Sequence, residues 1–348
     1  MASIPTTIDD VTADWVAEVT GLPVDSMSAE IIGVGVGVSS AVYRLTLSGE
    51  GVPATLVLKL AALDEAAVFT SSILRMYERE VKFFDGIGPR SPIRVPKGYG
   101  GAVSEDGASY YLLMEDMGGH REVDQNKGMD IADAERAIVE LARWHAEFWG
   151  DAEQFVETGA AVSLADPVYP AVLPLVFGEG WEKLQAGMEV APCIASIAPR
   201  WSDSLVDMLT KLSRSPTTLI HGDYRADNIF FDSDGNVVLL DFQLSGLGTA
   251  AYDVAYFVTQ SLLAEVAAEH EQALFDRYIA ALIEAGVPEA DTARLWDDYK
   301  VAALFCLVYP FVACRGMDFS DPRQFDLVDN MNSRCARALE EHDLAELL

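Results

Sequence analysis

His221-Gly222-Asp223-Tyr224-Arg225-Ala226-Asp227-Asn228, followed further on by Asp241-Phe242-Gln243, is the stretch on which the reading of this 348-residue chain turns. Two short β segments, Asn228–Phe231 and Asn236–Leu240, flank an Asp234-Gly235 turn. A hairpin of that length brings Asn228 and Asp241 together at its open end. An amide oxygen and a carboxylate placed there are hard oxygen donors, suited to Mg2+ held together with substrate phosphates. Asp223, on the loop that enters the hairpin, can point at an incoming hydroxyl. A loop merely capped by aspartate and asparagine would use the same residue types. Four specified residues followed by a fifth at a fixed offset seldom recur by chance.

Upstream, Thr7 to Thr20 reads as an opening helix. Three strands follow, Glu30–Val38, Ala41–Leu47 and Thr55–Leu60, separated by glycine-bearing turns. Phe69 to Phe84 has helical spacing of apolar residues, and Val95–Val103 and Ser109–Met114 return as strands. Beyond Gly118-Gly119 the pattern turns helical: Ile131–Trp149, then 160–216 with proline breaks, then Tyr252 to the end. The expected fold class is α+β: a small antiparallel-sheet lobe over 1–118 and a larger, mainly helical lobe over 119–348, hinged near Glu115–Gly119.

Lys59 is the only cation in its apolar strand, Leu56-Val57-Leu58-Lys59-Leu60. An unpaired buried ammonium costs several kcal/mol, so it needs a partner, and Glu80 on the following helix is the natural one. Gly33-Val34-Gly35-Val36-Gly37-Val38-Ser39-Ser40 lies between two expected strands. Its glycines allow backbone to approach phosphates closely, and Ser39 or Ser40 can donate hydrogen bonds. The string fits no GxGxxG register, and no helix follows it as a dinucleotide-binding motif requires.

His-Gly-Asp-x-x-x-x-Asn with Asp-Phe-Gln resembles the catalytic loop of the aminoglycoside phosphotransferase and choline kinase superfamily, distant relatives of protein kinases. Glutamine after Asp-Phe is similar to the ecdysteroid-kinase-like branch. The resemblance covers roughly 30–265 and implies a protein-kinase-like two-lobed fold. It implies a small-molecule kinase that moves the γ-phosphate of ATP or GTP to an aminoglycoside-, choline- or steroid-like alcohol. Asp223 would be the base, and Asn228 and Asp241 the Mg2+ ligands. Gly35, Gly37, Ser39, Ser40, Lys59 and Glu80 would attend the phosphates, and the backbone at Glu115 and Met117 the purine edge. Asp253 would brace the catalytic loop through backbone amides. His145 reads as a core histidine and His221 as a loop brace. Trp181, Trp296, Tyr299, Phe305 and Tyr309 are candidates to line the acceptor site, with Asp297 and Asp298 suited to an amine. The competing reading is a catalytically silent nucleotide-binding protein, and retention of Lys59, Glu80, Asp223, Asn228 and Asp241 speaks against it.

Composition narrows the partners. The 24 basic and 55 acidic residues leave a net charge of −31. That disfavours nucleic acid and anionic membranes, both of which need a basic face. Cys193, Cys306, Cys314 and Cys335 show no CxxC spacing and suit reduced thiols in a cytoplasmic protein. The apolar run Val301–Cys314 contains Pro310, is too short to span a membrane, and fits a buried helix. Five histidines without metal-ligand spacing argue against a metallohydrolase. The absence of an Ala-Pro-Glu segment after Asp241 argues against a protein kinase.

Overall fold

Period-two alternation along β3 (Thr55–Ala61) organises the smaller lobe. Leu56, Leu58 and Leu60 pack on one side of the sheet with Trp15 and Val16 of α1 (Ala13–Thr20). Val57 packs on the other side, with Tyr77 and Val81 of α3 (Met76–Gly86). Lys59 shares the parity of Val57, so its side chain is directed to the α3 side. The computed structural model describes residues 2–32 and 39–348. Its main sheet is antiparallel in the order β1 (Ser26–Ile32), β2 (Ser40–Ser48), β3, β5 (Tyr110–Glu115), β4 (Gly98–Val103).

The single helix expected over Phe69–Phe84 is two, α2 (Glu65–Ile73) and α3. Arg75 between them adopts a left-handed conformation, φ 54°. The Leu74 carbonyl at the break accepts from the Arg79 guanidinium at 2.7 Å. The opening helix is likewise interrupted before Thr12, which caps α1 by accepting from the Trp15 amide.

The larger lobe is helical around two small β elements. These are the three-stranded sheet β6 (Val162–Ser163), β10 (Gly246–Gly248), β7 (Thr218–Ile220), and the hairpin β8 (Ile229–Phe231)–β9 (Val237–Leu239). Helix α4 (Ile131–Glu147) packs on α9 (Ala264–Glu284), α6 (Val168–Gly187) on α12 (Val308–Gly316), and α8 (Ala251–Ser261) on α11 (Leu295–Phe305). Of the proline breaks expected in 160–216, Pro167 and Pro192 stand at helix starts, and two other prolines interrupt nothing. Pro174 lies inside α6 and Pro199 inside α7 (Pro192–Leu212). A mid-helix proline removes a ladder hydrogen bond. Around Pro174, burial of Leu173, Val176 and Phe177, the last packed on Trp201 and Phe311, offsets that loss.

All four cysteines are unpaired thiols. The apolar run near 301–314 divides between α11 and α12. The helical stretch Glu289–Gly316 is long and apolar enough to cross a membrane, and 67% of its most apolar window is buried inside the protein.

Helix α13 (Pro322–Glu341) closes the lobe through a buried ion cluster. Arg337 donates to Glu271 at 2.6 Å and His342 contacts it at 3.0 Å. Burial pushes the Glu271 carboxyl up, but hydrogen bonds from His342 and Arg337 outweigh this and bring its pKa to about 2. The folded pKa lies below the unfolded one, so the stabilisation is complete above the unfolded pKa of about 4.5. It is lost as pH falls toward 2, a contribution of about 3 kcal/mol at most. Acid titration of unfolding free energy should therefore show a steeper decline below pH 4.5 in the native chain than in Glu271→Gln. Identical profiles would remove Glu271 from the account.

Candidate active site

The loop 221–228 is held from beneath by Asp253, in the first turn of α8. Its carboxylate accepts from the His221 amide at 2.6 Å and the Gly222 amide at 2.9 Å. Asp253 also meets His145, which contacts Tyr278 through its other nitrogen, so His145 is a satisfied core histidine. Gly222 sits at φ 81°, and a Cβ there would come within 2.2 Å of the Leu244 carbonyl, so only glycine fits. The His221 Nε2–H donates to the Leu240 carbonyl while Nδ1 accepts from the Asp223 amide. Burial pushes the His221 imidazole below its ordinary pKa, which keeps this neutral tautomer. His221 therefore braces the loop.

The hairpin closes as its length predicts. The Leu240 amide donates to the Asn228 carbonyl at 3.0 Å, which sets Asp241 beside Asn228. The Asn228 amide nitrogen reaches the Asp223 carbonyl at 2.9 Å and its carboxylate Oδ2 at 2.8 Å. Among the described residues nothing donates to Asn228 Oδ1, which faces no competitor for a cation. Asp241 occupies the left-handed region at φ 64°, a conformation that costs a non-glycine residue about 1–3 kcal/mol and collects at functional sites.

Lys59 bridges the lobes. Its ammonium lies 2.5 Å from Glu80 and 3.3 Å from Asp241. Burial alone would lower its pKa, but Asp241 and Glu80 outweigh it and hold the ammonium protonated. One cation thus faces two carboxylates, and the cluster is one positive charge short. With the open Asn228 oxygen, that deficit fits a divalent cation carrying phosphates. Phe242 stacks on Phe83 of α3 at a centroid distance of 3.5 Å and meets His221 at 5.2 Å, fixing α3 against the catalytic loop.

Of the remaining expected residues, Gly35 and Gly37 lie outside the described residues. Ser39 donates to Gln243 Oε1 at 2.6 Å, and Gln243 Nε2 reaches Asp241 at 3.3 Å. Ser40 pairs with the Tyr110 hydroxyl at 2.6 Å, and Tyr110 with Glu80 at 3.5 Å. Ser39 and Ser40 are therefore tied into one ring of hydrogen bonds with Gln243, Asp241, Lys59, Glu80 and Tyr110. The Glu115 amide is committed to the Lys97 carbonyl and its side chain to Arg94, so only its carbonyl is left for a purine. The Met117 carbonyl accepts from His120, and its amide has no partner among the described residues.

Two residues beside Asp223 were not anticipated. The Tyr256 hydroxyl donates to Asp223 Oδ1 at 2.6 Å, and the Arg225 Nε donates to the same oxygen at 3.0 Å. Burial and Asp223 both push the Tyr256 phenol well up, so it remains a donor. Arg225 stands inside the motif as its only cation, and the unpaired-charge argument applied to Lys59 would have singled it out. Tyr256 lies 33 residues from Asp223, with no signal linking them. Of the expected acceptor-lining aromatics, Tyr309 alone packs against a residue that touches Asp223, its ring tilted at 53° to that of Tyr256 with centroids 4.3 Å apart. Trp296 and Tyr299 pack with Phe275 and His342, Trp181 meets Phe311, and Phe305 lies between Trp201 and Tyr252. Asp297 pairs with Lys300, and Asp298 is bonded to Thr249.

The model of the phosphotransferase enzyme family matches residues 30–296. The chain belongs to that family. This phosphotransferase superposes on a protein from Ralstonia eutropha JMP134 provisionally described as an aminoglycoside phosphotransferase, with TM-score 0.59 and 17% identity over 95% of this chain and 97% of that one. It is also similar to choline kinase from Cryptosporidium parvum Iowa II, with TM-score 0.56 and 11% identity over 92% and 90% of the two chains. Plasmodium vivax ethanolamine kinase gives TM-score 0.55 and 15% identity over 90% and 82%. At such identities the likeness is one of fold, and it bears out the two-lobed, kinase-like α+β architecture. No curated protein matches the sequence.

Proposed function

We propose that this phosphotransferase transfers the γ-phosphoryl group of ATP or GTP to a hydroxyl of a small organic acceptor. The observation that carries the reading is the meeting of Lys59 and Glu80 with Asp241 across the cleft, next to Asn228 and Asp223. Choline, ethanolamine and aminoglycoside kinases of the same fold support a small-molecule alcohol as acceptor. A relative solved with GDP and kanamycin supports a purine nucleotide donor. Gln243 supports the ecdysteroid-kinase-like branch, and the four unpaired thiols a cytoplasmic setting.

In this reading Asn228 Oδ1 and the Asp241 carboxylate hold Mg2+, which neutralises phosphate charge when bound. Lys59, fixed by Glu80, adds its positive charge at the phosphates. Asp223 orients the acceptor. Its Oδ1 is occupied by Tyr256 and Arg225, and Oδ2 has one lone pair beyond the Asn228 contact, so the acceptor hydroxyl belongs at Oδ2. A carboxylate of ordinary pKa cannot deprotonate an alcohol in the ground state. The proton passes to Asp223 late, as the bond from acceptor oxygen to phosphorus forms, the bridging bond breaks and nucleoside diphosphate departs.

Thermal shift with Mg-nucleotide tests the site. Near a hundredfold excess over Kd, a bound nucleotide adds about 2.7 kcal/mol of stability. Asp241→Ala should lose most of that gain, and an unchanged gain would displace Asp241 from the site. The ring through Ser39 and Gln243 gives a finer test. Ser39→Ala and Gln243→Ala should each weaken nucleotide binding, and the double variant should be no worse than either. The resulting coupling energy is about 0.5–3 kcal/mol. Additive losses would mean that the two residues act separately.

A further inference from the structure

Arg225 has more donors than its neighbours use. Its Nε–H donates to Asp223 Oδ1 at 3.0 Å. Its Nη1 donates to Gln125 Oε1 at 2.6 Å and to Asp227 Oδ2 at 2.9 Å. These contacts engage three of the five N–H groups that a guanidinium carries. Among the described residues nothing accepts from Nη2, which carries the rest. The side chain is 20% exposed, and its unbonded nitrogen is not one of those sealed inside the protein, as the Nε atoms of Arg79 and Arg334 are. Nη1 lies on the Cδ side of the planar group, so Nε–H and Nη2 form the opposite edge. Nη2 therefore stands beside the Asp223 carboxylate.

The guanidinium is fixed in that position. Gln125 is 2% exposed, its carbonyl accepts from Arg334 at 2.7 Å, and its amide donates to Asp227 Oδ1 at 3.1 Å. Gln125 and Asp227 thus hold Nη1 from behind while Asp223 holds Nε. Burial would lower the pKa of Arg225, but Asp223, Tyr256, Asp227 and Asp241 together raise it above the ordinary arginine value. Asp241 is therefore near enough to act on this cation, which ties Arg225 to the expected metal site as well as to Asp223. Among the described residues no other cation touches Asp223. A residue that only braced this carboxylate would need one donor, as Tyr256 shows on the same oxygen. Two uncommitted N–H groups on an immobile cation suit an anion with several oxygens, and a phosphoryl group presents three.

We infer that Arg225 is a catalytic residue whose Nη2 donates to the phosphoryl group as it passes from the nucleotide to the hydroxyl held at Asp223. This rests on the phosphoryl-transfer reading and adds a cation on the acceptor side of the transfer. As the bond from acceptor oxygen to phosphorus forms and the bridging bond breaks, Nη2 stabilises charge on the non-bridging oxygens. Arg225 gives up no proton, and the hydroxyl proton still passes to Asp223.

Aluminium fluoride added to Mg-ADP or Mg-GDP, whichever binds, imitates the phosphoryl group in transit and tests this without a known acceptor. The readout is the thermal shift with Mg-nucleoside diphosphate alone and with the fluoride added. The native chain should gain stability from the fluoride. Arg225→Gln should keep most of the shift with the diphosphate and bind the fluoride about 10–100-fold more weakly, the worth of a hydrogen bond to a charged group. Tyr256→Phe, which removes the other donor to Asp223 Oδ1, should lose far less. Arg225→Lys carries the same test should the glutamine variant not fold. It keeps a cation beside Asp223 and Asp227 but offers one nitrogen instead of an edge, so the gain should fall. An undiminished gain in the Arg225 variants, or equal losses in Arg225→Gln and Tyr256→Phe, would overturn the inference and leave Arg225 as a brace for Asp223. A native chain that binds the diphosphate and gains nothing from fluoride would overturn it too. A chain that binds no Mg-nucleotide would instead sink the phosphoryl-transfer reading itself.

Discussion

Asp223→Asn should reduce turnover by about 10²–10⁴-fold, the range set by removal of a positioned acid–base group, while Mg-nucleotide binding is retained. Asparagine keeps an oxygen for Tyr256 and Arg225, which both donate to Asp223 Oδ1. The substitution therefore keeps the acceptor for Tyr256 and Arg225, removes the carboxylate proposed to take the proton, and sets an NH2 donor where the Asn228 amide nitrogen had an acceptor. Asp223→Ala should lose the same activity and additionally leave the buried Arg225 with Asp227 as its remaining carboxylate. Single-turnover kinetics with saturating nucleotide is the measurement. Near-native transfer by Asp223→Asn would assign the base role elsewhere, and a parallel loss of nucleotide binding would make Asp223 a binding residue.

The second large effect concerns stability. The side chains of Lys59 and Glu80 are 10% and 2% exposed, so this is a buried ion pair rather than a surface one. Lys59→Met would leave Glu80 and Asp241 as facing carboxylates without a cation. Breaking such a pair costs about 3–5 kcal/mol, whereas a solvent-exposed pair contributes about 0–1 kcal/mol. Lys59→Met/Glu80→Leu, which removes both charges, should recover most of the loss. Denaturant midpoints of the single and double variants decide the matter. A loss below about 1 kcal/mol in Lys59→Met would show that water reaches the pair and screens it.

Local chemistry dictated much of the architecture. Alternation along Leu56–Leu60 set the strand and the direction of Lys59, and the Asp234-Gly235 turn set the hairpin that places Asp241 beside Asn228. Asp223, Asn228 and Asp241 were legible because fixed offsets on a short loop and hairpin leave little freedom. Some helix breaks were not. Whether a helix runs through Leu74 depends on the Arg79 guanidinium reaching its carbonyl, and whether Pro174 ends a helix depends on what its neighbours bury.

Sequence by itself marked out the groups proposed for phosphoryl transfer, because their spacing is a local property of one loop, one hairpin and one strand. Only the tertiary structure decided which of them meet and what else attends them. The lobes had to be packed together before Lys59 faced Asp241, Ser39 met Gln243, and Tyr256 and Arg225 closed on one oxygen of Asp223. The same packing set Trp296 and Tyr299 against His342 at the end of α13 and left Tyr309 beside Tyr256, which bonds Asp223. Contacts between residues far apart in the chain leave no periodicity to read. They arise from how buried faces fit, and that is settled by the whole core at once.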